Sequence, residues 1–493
     1  MPEIILTTDR TLMSTYRHRF LLGFGASSPP NPIPDLLFFN FLFPKVRHKN
    51  GIPIQAKIGL RKIEAALLEK GFDVLTVDPD HLESYLSEAK ILGISAMDPL
   101  GWGPSSATWR SILKTGDPLC QRAFRELVRR ESIQRARRER GLKVVVGGAG
   151  WQFGLKPDMI DQFGIDCVVE GEGEIAVPKL FKRILEGEEV PKYYKVPKEE
   201  IPSAEEIPNI KNPTIGSFVE IGRGCPRGCK FCTVTLLPLR WHSLEYLERE
   251  FQVNAPYNEK DECLLHAEDV LLYGSRNIYP KPDKFLRLIK LAKKYNPKMF
   301  WSHITLAAAL TEKKMVEKAM DIICQDQEYL GVEIGIETGS PQLAKKVMPG
   351  KAKPFEAERW PEVVKEGLDF LNDVNIVPYC TFIVGMPGER EEDVIATMDL
   401  VEDLKDNDVV LVPLFFVPWR ELETGKWFKY EHLSERQKEF LKKCFDHDLR
   451  FVDRFIFKWL KHIPFGFLFY PFYRFGRWRF LREAGGDTGK HSW

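Results

Sequence analysis

Gly222-Arg-Gly-Cys-Pro-Arg-Gly-Cys-Lys-Phe-Cys-Thr233 sets Cys225, Cys229 and Cys232 in a C-x3-C-x2-C run near the middle of a 493-residue chain. Thiolates are soft ligands that suit iron-sulfur clusters or zinc, and glycines let so short a loop curl until three sulfurs reach three corners of one cubane. No fourth cysteine lies near. An iron with an open coordination position is one that a substrate or cofactor can occupy, the logic that separates catalytic from structural zinc sites. Zinc would want a fourth ligand, and His242 is the closest histidine downstream, with no C-x2-C or H-x3-H pair elsewhere. A disulfide framework does not suit nine cysteines of which six are scattered singly, and no signal peptide is read ahead of them, so the chain is expected to be cytoplasmic and reduced.

Outward from the triad, Ser217-Phe-Val-Glu-Ile221 reads as a strand running into the cysteine loop. Further βα units are expected at Cys263-Leu-Leu-His266, Met299-Phe-Trp-Ser-His303, Leu330-Gly-Val-Glu-Ile-Gly335, Val374-Asn-Ile-Val-Pro-Tyr379 and Val409-Val-Leu-Val-Pro-Leu414. Strands alternating with helices imply right-handed crossovers and a parallel sheet. Six of them make an α/β fold of partial (β/α)6 barrel type, open on one side and able to admit a large substrate. Loops after the carboxyl ends of such strands build the active site. His266, His303 and Tyr379 are the candidates there to face a substrate, against the commoner role of such residues as satisfied core groups. Cys263, Cys324 and Cys380, standing alone, read as inert.

Upstream, Ile4-Ile-Leu-Thr-Thr-Asp-Arg10 reads as a strand entering a loop, and Ile58 to Gly71 as a helix with a glycine stop. Asp73-Val-Leu-Thr-Val77, Ile91-Leu-Gly-Ile-Ser95 and Lys143-Val-Val-Val-Gly-Gly148 read as strands, with an Arg-rich helical stretch from Phe124 to Arg140. This is a Rossmann-like pattern, and Gly147 and Gly148 past a strand end let a ligand approach the backbone at the carboxyl edge of the sheet. The expected organisation is an N-terminal extension over 1–50, the Rossmann-like domain over 51–188 and a linker over 189–213 rich in Pro, Lys and Glu. The partial barrel follows over 214–425 and a C-terminal helical region over 426–493.

Net charge is only +1, which gives no reason to expect nucleic acid. No segment reaches the roughly 18 uncharged apolar residues of a membrane-spanning helix. The apolar run from Leu36 to Pro44 is short and broken by Asn40.

The triad, with Phe231 before its last cysteine, resembles the cluster loop of the radical S-adenosylmethionine (SAM) superfamily. Gly331-Val-Glu-Ile-Gly-Ile-Glu-Thr-Gly-Ser340 and Phe382-Ile-Val-Gly-Met-Pro-Gly-Glu389 are similar to that superfamily's fourth and fifth barrel strands. The resemblance implies a [4Fe-4S] cluster on Cys225, Cys229 and Cys232, SAM on the unique iron, and reductive cleavage to a 5′-deoxyadenosyl radical. It implies that Phe231 packs near adenine and that Glu268 and Asp269 meet the amino group of SAM. Glu337, Gly339 and Ser340 would meet ribose or the methionyl carboxylate, and Ile383, Gly385 and Glu389 would flank adenine. A reductase or ferredoxin would supply the electron.

Gly-Leu-Arg-Lys-Ile-Glu-Ala-Ala-Leu67, Val-Gly-Gly148 and Val169-Glu-Gly-Glu-Gly-Glu174 are similar to the cobalamin-binding domain ahead of many radical SAM barrels. Where that domain ligates cobalt through D-x-H-x-x-G, this chain has Asp78-Pro-Asp-His81-Leu-Glu, which implies cobalamin bound without a protein histidine. The opening Leu6-Thr-Thr-Asp-Arg-Thr-Leu-Met-Ser-Thr-Tyr-Arg17 is similar to an archaeal subgroup containing the synthases that place cyclopentane rings in tetraether membrane lipids. From Phe445 to Phe480, fourteen of 36 residues are aromatic and basic residues are interleaved, a mixture that favours the water-lipid boundary. It equally suits a helical cap over the open barrel. The expected activity is hydrogen abstraction from unactivated carbon with carbon-carbon bond formation in a membrane lipid, and peripheral membrane contact. The alternatives are a cobalamin-dependent radical SAM C-methyltransferase and, in another class, a non-catalytic iron-sulfur electron-transfer or binding protein.

Overall fold

The computed structural model describes residues 2–16, 20–29, 38–418, 422 and 426–460. Two parallel six-stranded arrangements follow one another. The first is a sheet of β1 (Ile4–Thr8), β2 (Val74–Thr76), β3 (Ile91–Ala96), β4 (Lys143–Gly148), β5 (Cys167–Glu170) and β6 (Tyr193–Lys195), in the spatial order 2-1-3-4-5-6. Its short β-branched runs are buried on both faces, which is what a parallel sheet demands. Alternate residues serve alternate cores: Ile5, Leu92, Val144 and Val168 pack with Phe124 on one side, and Ile4, Leu6, Val145 and Val169 with Leu60 and Phe181 on the other. Strand order reverses between β1 and β3, and ligands of such sheets bind outside the carboxyl ends at that switch point.

Two expected boundaries move. Residues 1–50 are not an extension, because β1 is an interior strand of the sheet. The stretch 189–213 is not all linker, because β6 pairs with β5 as the edge strand. A single strand or edge strand carries no periodicity of its own to announce which sheet it joins.

The second arrangement has a strand in each of the six expected places: β7 (Phe218–Glu220), β8 (Glu262–His266), β9 (Lys298–Trp301), β10 (Leu330–Glu337), β11 (Ile376–Val384) and β12 (Val410–Phe415). The two halves, 7-8-9 and 10-11-12, meet at a parallel bridge between His303 and Glu333. Along β10, Val332, Ile334 and Ile336 are buried under the outer helices, while Gly331, Glu333 and Gly335 alternate with them and are half-buried. The strand period of two thus sends apolar residues outward and polar or small ones into the lumen.

The barrel is open between β7 and β12, and the first domain straddles that seam. On the β7 side, Arg223 pairs with Glu174 at 2.6 Å and Glu172 at 3.3 Å, and Arg240 also pairs with Glu172. On the β12 side, Thr108 of the helix Pro104–Leu113 accepts from the Phe415 N–H at 2.7 Å. Beneath, Lys62 of the helix Ile58–Glu69 is fully buried against Glu250 at 2.9 Å, and Arg61 holds Glu64 through two 2.9 Å bonds and the Pro213 carbonyl at 3.1 Å.

The helix Glu435–Leu460 covers the outside of β11 and β12, burying Phe440 and Cys444. Asp448 accepts from the Leu411 N–H at 2.8 Å. This part of the C-terminal region is a cap on the barrel. Residues 461–493, which carry most of the aromatic and basic run, lie outside the described residues. Among those described, no helix is long and apolar enough to cross a membrane.

Candidate functional site

The cysteine loop leaves the carboxyl end of β7 and is fastened from inside the triad. Arg227 is buried, and its Nη1 donates to the carbonyls of Gly350, Lys351 and Lys353 at 3.4, 3.1 and 2.9 Å. Its guanidinium lies 3.5 Å from Asp269 Oδ2, which also accepts from Thr305 Oγ1 at 2.6 Å. Gly350 must be glycine, because a Cβ there would stand 1.9 Å from the Arg227 carbonyl. Burial pushes the Cys225 thiol up to about 12 and raises those of Cys229 and Cys232. Such thiols are poor free nucleophiles, and a metal centre is what discharges their protons. Among the described residues no three His, Cys, Asp or Glu side chains converge on one metal ion.

Lys351 stands over this loop. Burial works to lower its pKa, but Glu337 and then Cys229 outweigh that and raise it, so the ammonium persists beside the sulfurs. Its Nζ pairs with Glu337 Oε1 at 2.7 Å, and Glu337 Oε2 accepts from Thr381 at 3.3 Å. Glu337 has a left-handed backbone, φ 68°, uncommon for a residue with a Cβ. Gly335 makes room for the pair: a Cβ there would lie 2.0 Å from Glu337 Oε1 and 2.4 Å from Lys351 Nζ.

The other expected SAM contacts divide. Phe231 is half-buried against the barrel core. Ile383, Glu337, Glu389 and Gln437 line one small cavity. Burial pushes Glu389 up to about 7, although it accepts from the Gly385 N–H at 3.0 Å and from Gln437 at 2.5 Å. Gly385 has φ 82° and lies under the Phe428 ring.

Three expectations are corrected. Asp269 is turned to Arg227 and Thr305, a loop anchor. Ser340 caps the helix Pro341–Val347 and donates to Asp393 at 2.5 Å. Gly339 is pressed on the helix Glu391–Asp403, where a Cβ would meet the Ala396 carbonyl at 2.7 Å. Each sits at a strand end, but Asp269 Oδ2 and Ser340 Oγ are held within the chain and Gly339 gives its N–H to Thr397 at 2.9 Å.

Glu268 instead borders the lumen with His266, His303 and Tyr379. His303 lies 3.4 Å from Glu333, and its pKa is raised: burial opposes this, but the Glu333 hydrogen bond and charge prevail. Burial lowers His266 to about 4, and its ring stands 5.9 Å from that of His303. Burial raises Glu268, with His303 partly offsetting it. At the lumen's edge Glu220 is held at about 2: burial pushes it up, and the Arg223 charge and hydrogen bond overcome that.

The sequence reading missed Arg227, Glu333, Lys351 and Gln437. Arg227 lay in plain view between two cysteines. Glu333 was signalled by strand alternation, whereas nothing local marks Lys351 or Gln437.

At the switch-point edge of the first sheet, Gly147 opens to free space, and Gly148, φ 90°, has no room for a Cβ, which would stand 2.2 Å from the Ala96 carbonyl. Met97, just past β3, is half exposed. His81 is held by Asp78 at 3.0 Å and stacks beside His48.

Residues 219–401 match the Radical SAM superfamily. The matched segment runs from β7 through β11 of the barrel. The chain is 26% identical over 218 residues to the ribosomal protein uS12 methylthiotransferase RimO of Leptospira biflexa, over 44% of this chain and 45% of that protein. It is 24% identical over 311 residues to a putative methylthiotransferase of Methanocaldococcus jannaschii, over 59% of this chain and 65% of that one. Its matched part thus spans about half to two thirds of these relatives. Among solved structures it resembles the radical S-adenosylmethionine methyltransferase TsrM from Kitasatospora setae, with cobalamin and a [4Fe-4S] cluster bound. The TM-score is 0.55 at 16% identity, over 86% of this chain and 74% of that one. The shared fold therefore includes the first domain as well as the barrel. A radical SAM domain is an enzyme domain whose cofactors are a [4Fe-4S] cluster and SAM.

Proposed function

We propose that this protein is a cobalamin-dependent radical SAM enzyme that methylates a carbon of a polar substrate. One observation carries the reading: the glycine-bordered carboxyl edge of the first sheet straddles the open seam of the barrel, held by Arg223 and Arg240 on one side and Thr108 on the other. A corrin at Gly147, Gly148 and Met97 would stand across that seam from the lumen. The TsrM structure, with both cofactors in a related fold, supports this arrangement. When bound, the cluster supplies the electron that cleaves SAM and the cobalamin a carrier for the methyl group.

The residues of this chain then bind, orient and exclude. Arg227 fixes the cysteine loop, and the Lys351–Glu337 pair sets one cation beside the cluster thiolates. Ile383 and Gly385, at the carboxyl end of β11, would flank the adenosyl end. His303, Glu333, Glu268 and Tyr379 offer hydrogen bonds to a polar substrate, whereas a saturated hydrocarbon would displace water from these groups and give no hydrogen bond in return.

Carbon-carbon bond formation in a membrane lipid is the second reading, favoured by the aromatic and basic sequence from Phe445 to Phe480. Anaerobic reconstitution with iron, sulfide, hydroxocobalamin, SAM and a reductant separates the two. S-adenosylhomocysteine formed together with a methylated product supports the first. 5′-Deoxyadenosine without methylation, and cellular lipids losing two hydrogens per ring only when this protein is present, support the second. Neither nucleoside product from an intact cluster sinks both.

A further inference from the structure

A groove of about 1710 Å³ runs along the outer face of the cysteine loop, and none of the chemistry above uses it. One wall is Thr235 to Leu239, which begins three residues after Cys232; Thr235 Oγ1 donates to the Cys232 carbonyl at 3.1 Å. The same wall touches the start of the loop, where a Cβ on Gly224 would stand 2.6 Å from the Pro238 carbonyl. The triad's other flanks face inward, Cys229 towards Lys351 and Arg227 towards residues 350–353. The groove is therefore the face from which a cluster on this loop lies nearest to solvent.

Its chemistry is distinctive. Leu236, at the tip of that wall, is 60% exposed, the most exposed large apolar side chain among the described residues. The same groove is lined by Arg249, Arg276, Lys284 and Arg287, all exposed and none within ion-pair distance of a carboxylate among the described residues. Glu205, Glu206 and Glu245 also border the groove, on the linker and on the helix Leu244–Asn254. An apolar contact bordered by an excess of cations over carboxylates is how a small transient interface attracts an anionic partner.

We propose that this groove is the docking face for an acidic one-electron carrier protein that reduces the cluster, an inference that rests on the triad holding one. The reduced carrier loses one electron and leaves oxidised; the cluster gains that electron, and one SAM is cleaved for each. The chain's own residues beyond 460 do not suit the groove, since Arg474, Arg477, Arg479 and Arg482 would repel its cations.

The test uses the full reconstituted chain, with an acidic [2Fe-2S] ferredoxin kept reduced by its reductase, and dithionite as a reductant that needs no docking. Arg276→Glu with Arg287→Glu, and separately Leu236→Asp, should raise the half-saturating ferredoxin concentration about tenfold or more, and added salt should do the same to the unaltered chain. Dithionite-driven 5′-deoxyadenosine formation should stay within about twofold, because the variants touch no ligand of cluster or SAM. Ferredoxin affinity measured directly on the reconstituted chain should fall in step. Unchanged ferredoxin affinity and half-saturation overturn the proposal. So does loss of binding to anionic phospholipid vesicles without loss of ferredoxin binding, which assigns the patch to a membrane. Absence of dithionite-driven product from the unaltered, cluster-loaded chain is a separate failure: it removes the radical SAM reading and this inference with it.

Discussion

Two carboxyl edges face each other in this molecule, and they are furnished in opposite ways. The edge of the first sheet is stripped: Gly147 opens to free space, Gly148 tolerates no side chain and Met97 is left uncovered. The edge of the barrel is crowded with buried charge, Lys351 against Glu337 and Arg227 against Asp269, wrapped round three thiols. A large, flat macrocycle needs space and backbone proximity; a charged cluster and a zwitterionic cofactor need fixed counter-charges. On the proposed function, one topological rule, ligands at the carboxyl ends of parallel strands, serves two chemistries here.

The sharpest way to break the contrast is at the thiols. Replacing Cys225, Cys229 or Cys232 with alanine is expected to abolish cluster absorbance and reduce SAM cleavage to background, while cobalamin retention by the first domain persists. Joint loss of both cofactors would show that the two edges are not independent.

Next in size is the buried pair. Lys351→Met leaves Glu337 charged and unpaired, and an expected loss of about 3–5 kcal/mol in urea-unfolding stability measures that. A loss below about 1 kcal/mol would mean that Glu337 finds water instead, as a surface pair would.

Smaller is the effect at the stripped edge. Gly148→Val forces a side chain into a left-handed backbone, costing about 1–2 kcal/mol from the backbone alone. It should lower the cobalamin retained per chain while iron content is unchanged; equal retention would remove Gly148 from the cofactor edge.

The last effect concerns pH. Burial pushes Asp448 up to about 7 from 3.8, with the Leu411 N–H only partly offsetting it. The folded chain keeps a proton that the unfolded chain releases earlier, so this group's contribution to stability falls as pH rises from about 4 to about 7. Asp448→Asn, which can still accept from Leu411, should flatten that slope in urea midpoints at about pH 5 and about pH 7.5. An unchanged slope would assign it to Glu389, which titrates in the same window.

Local pattern gave up much of this molecule. The triad could be singled out because three soft donors at that spacing have few other uses. Each barrel strand was visible because short apolar runs between amphipathic helices admit few alternatives. The failures were at ends and partners. β1 and β6 join the sheet by pairing with strands distant in sequence. Asp269, Gly339 and Ser340 stand where ligand contacts would be sought, yet are engaged by Arg227, Thr397 and Asp393.

Donor type and periodicity act over a few residues, so the thiol run, the places of the six barrel strands and the glycines ending β4 could be read from the chain alone. Only the tertiary structure decided that Lys351 sits beside the triad, that Glu172 and Glu174 bind the barrel through Arg223 and Arg240, and that the lumen is lined by ionisable groups. The physical reason is that pairing of buried charges and the direction a strand end faces depend on which surfaces meet, and those surfaces come from residues far apart in the chain.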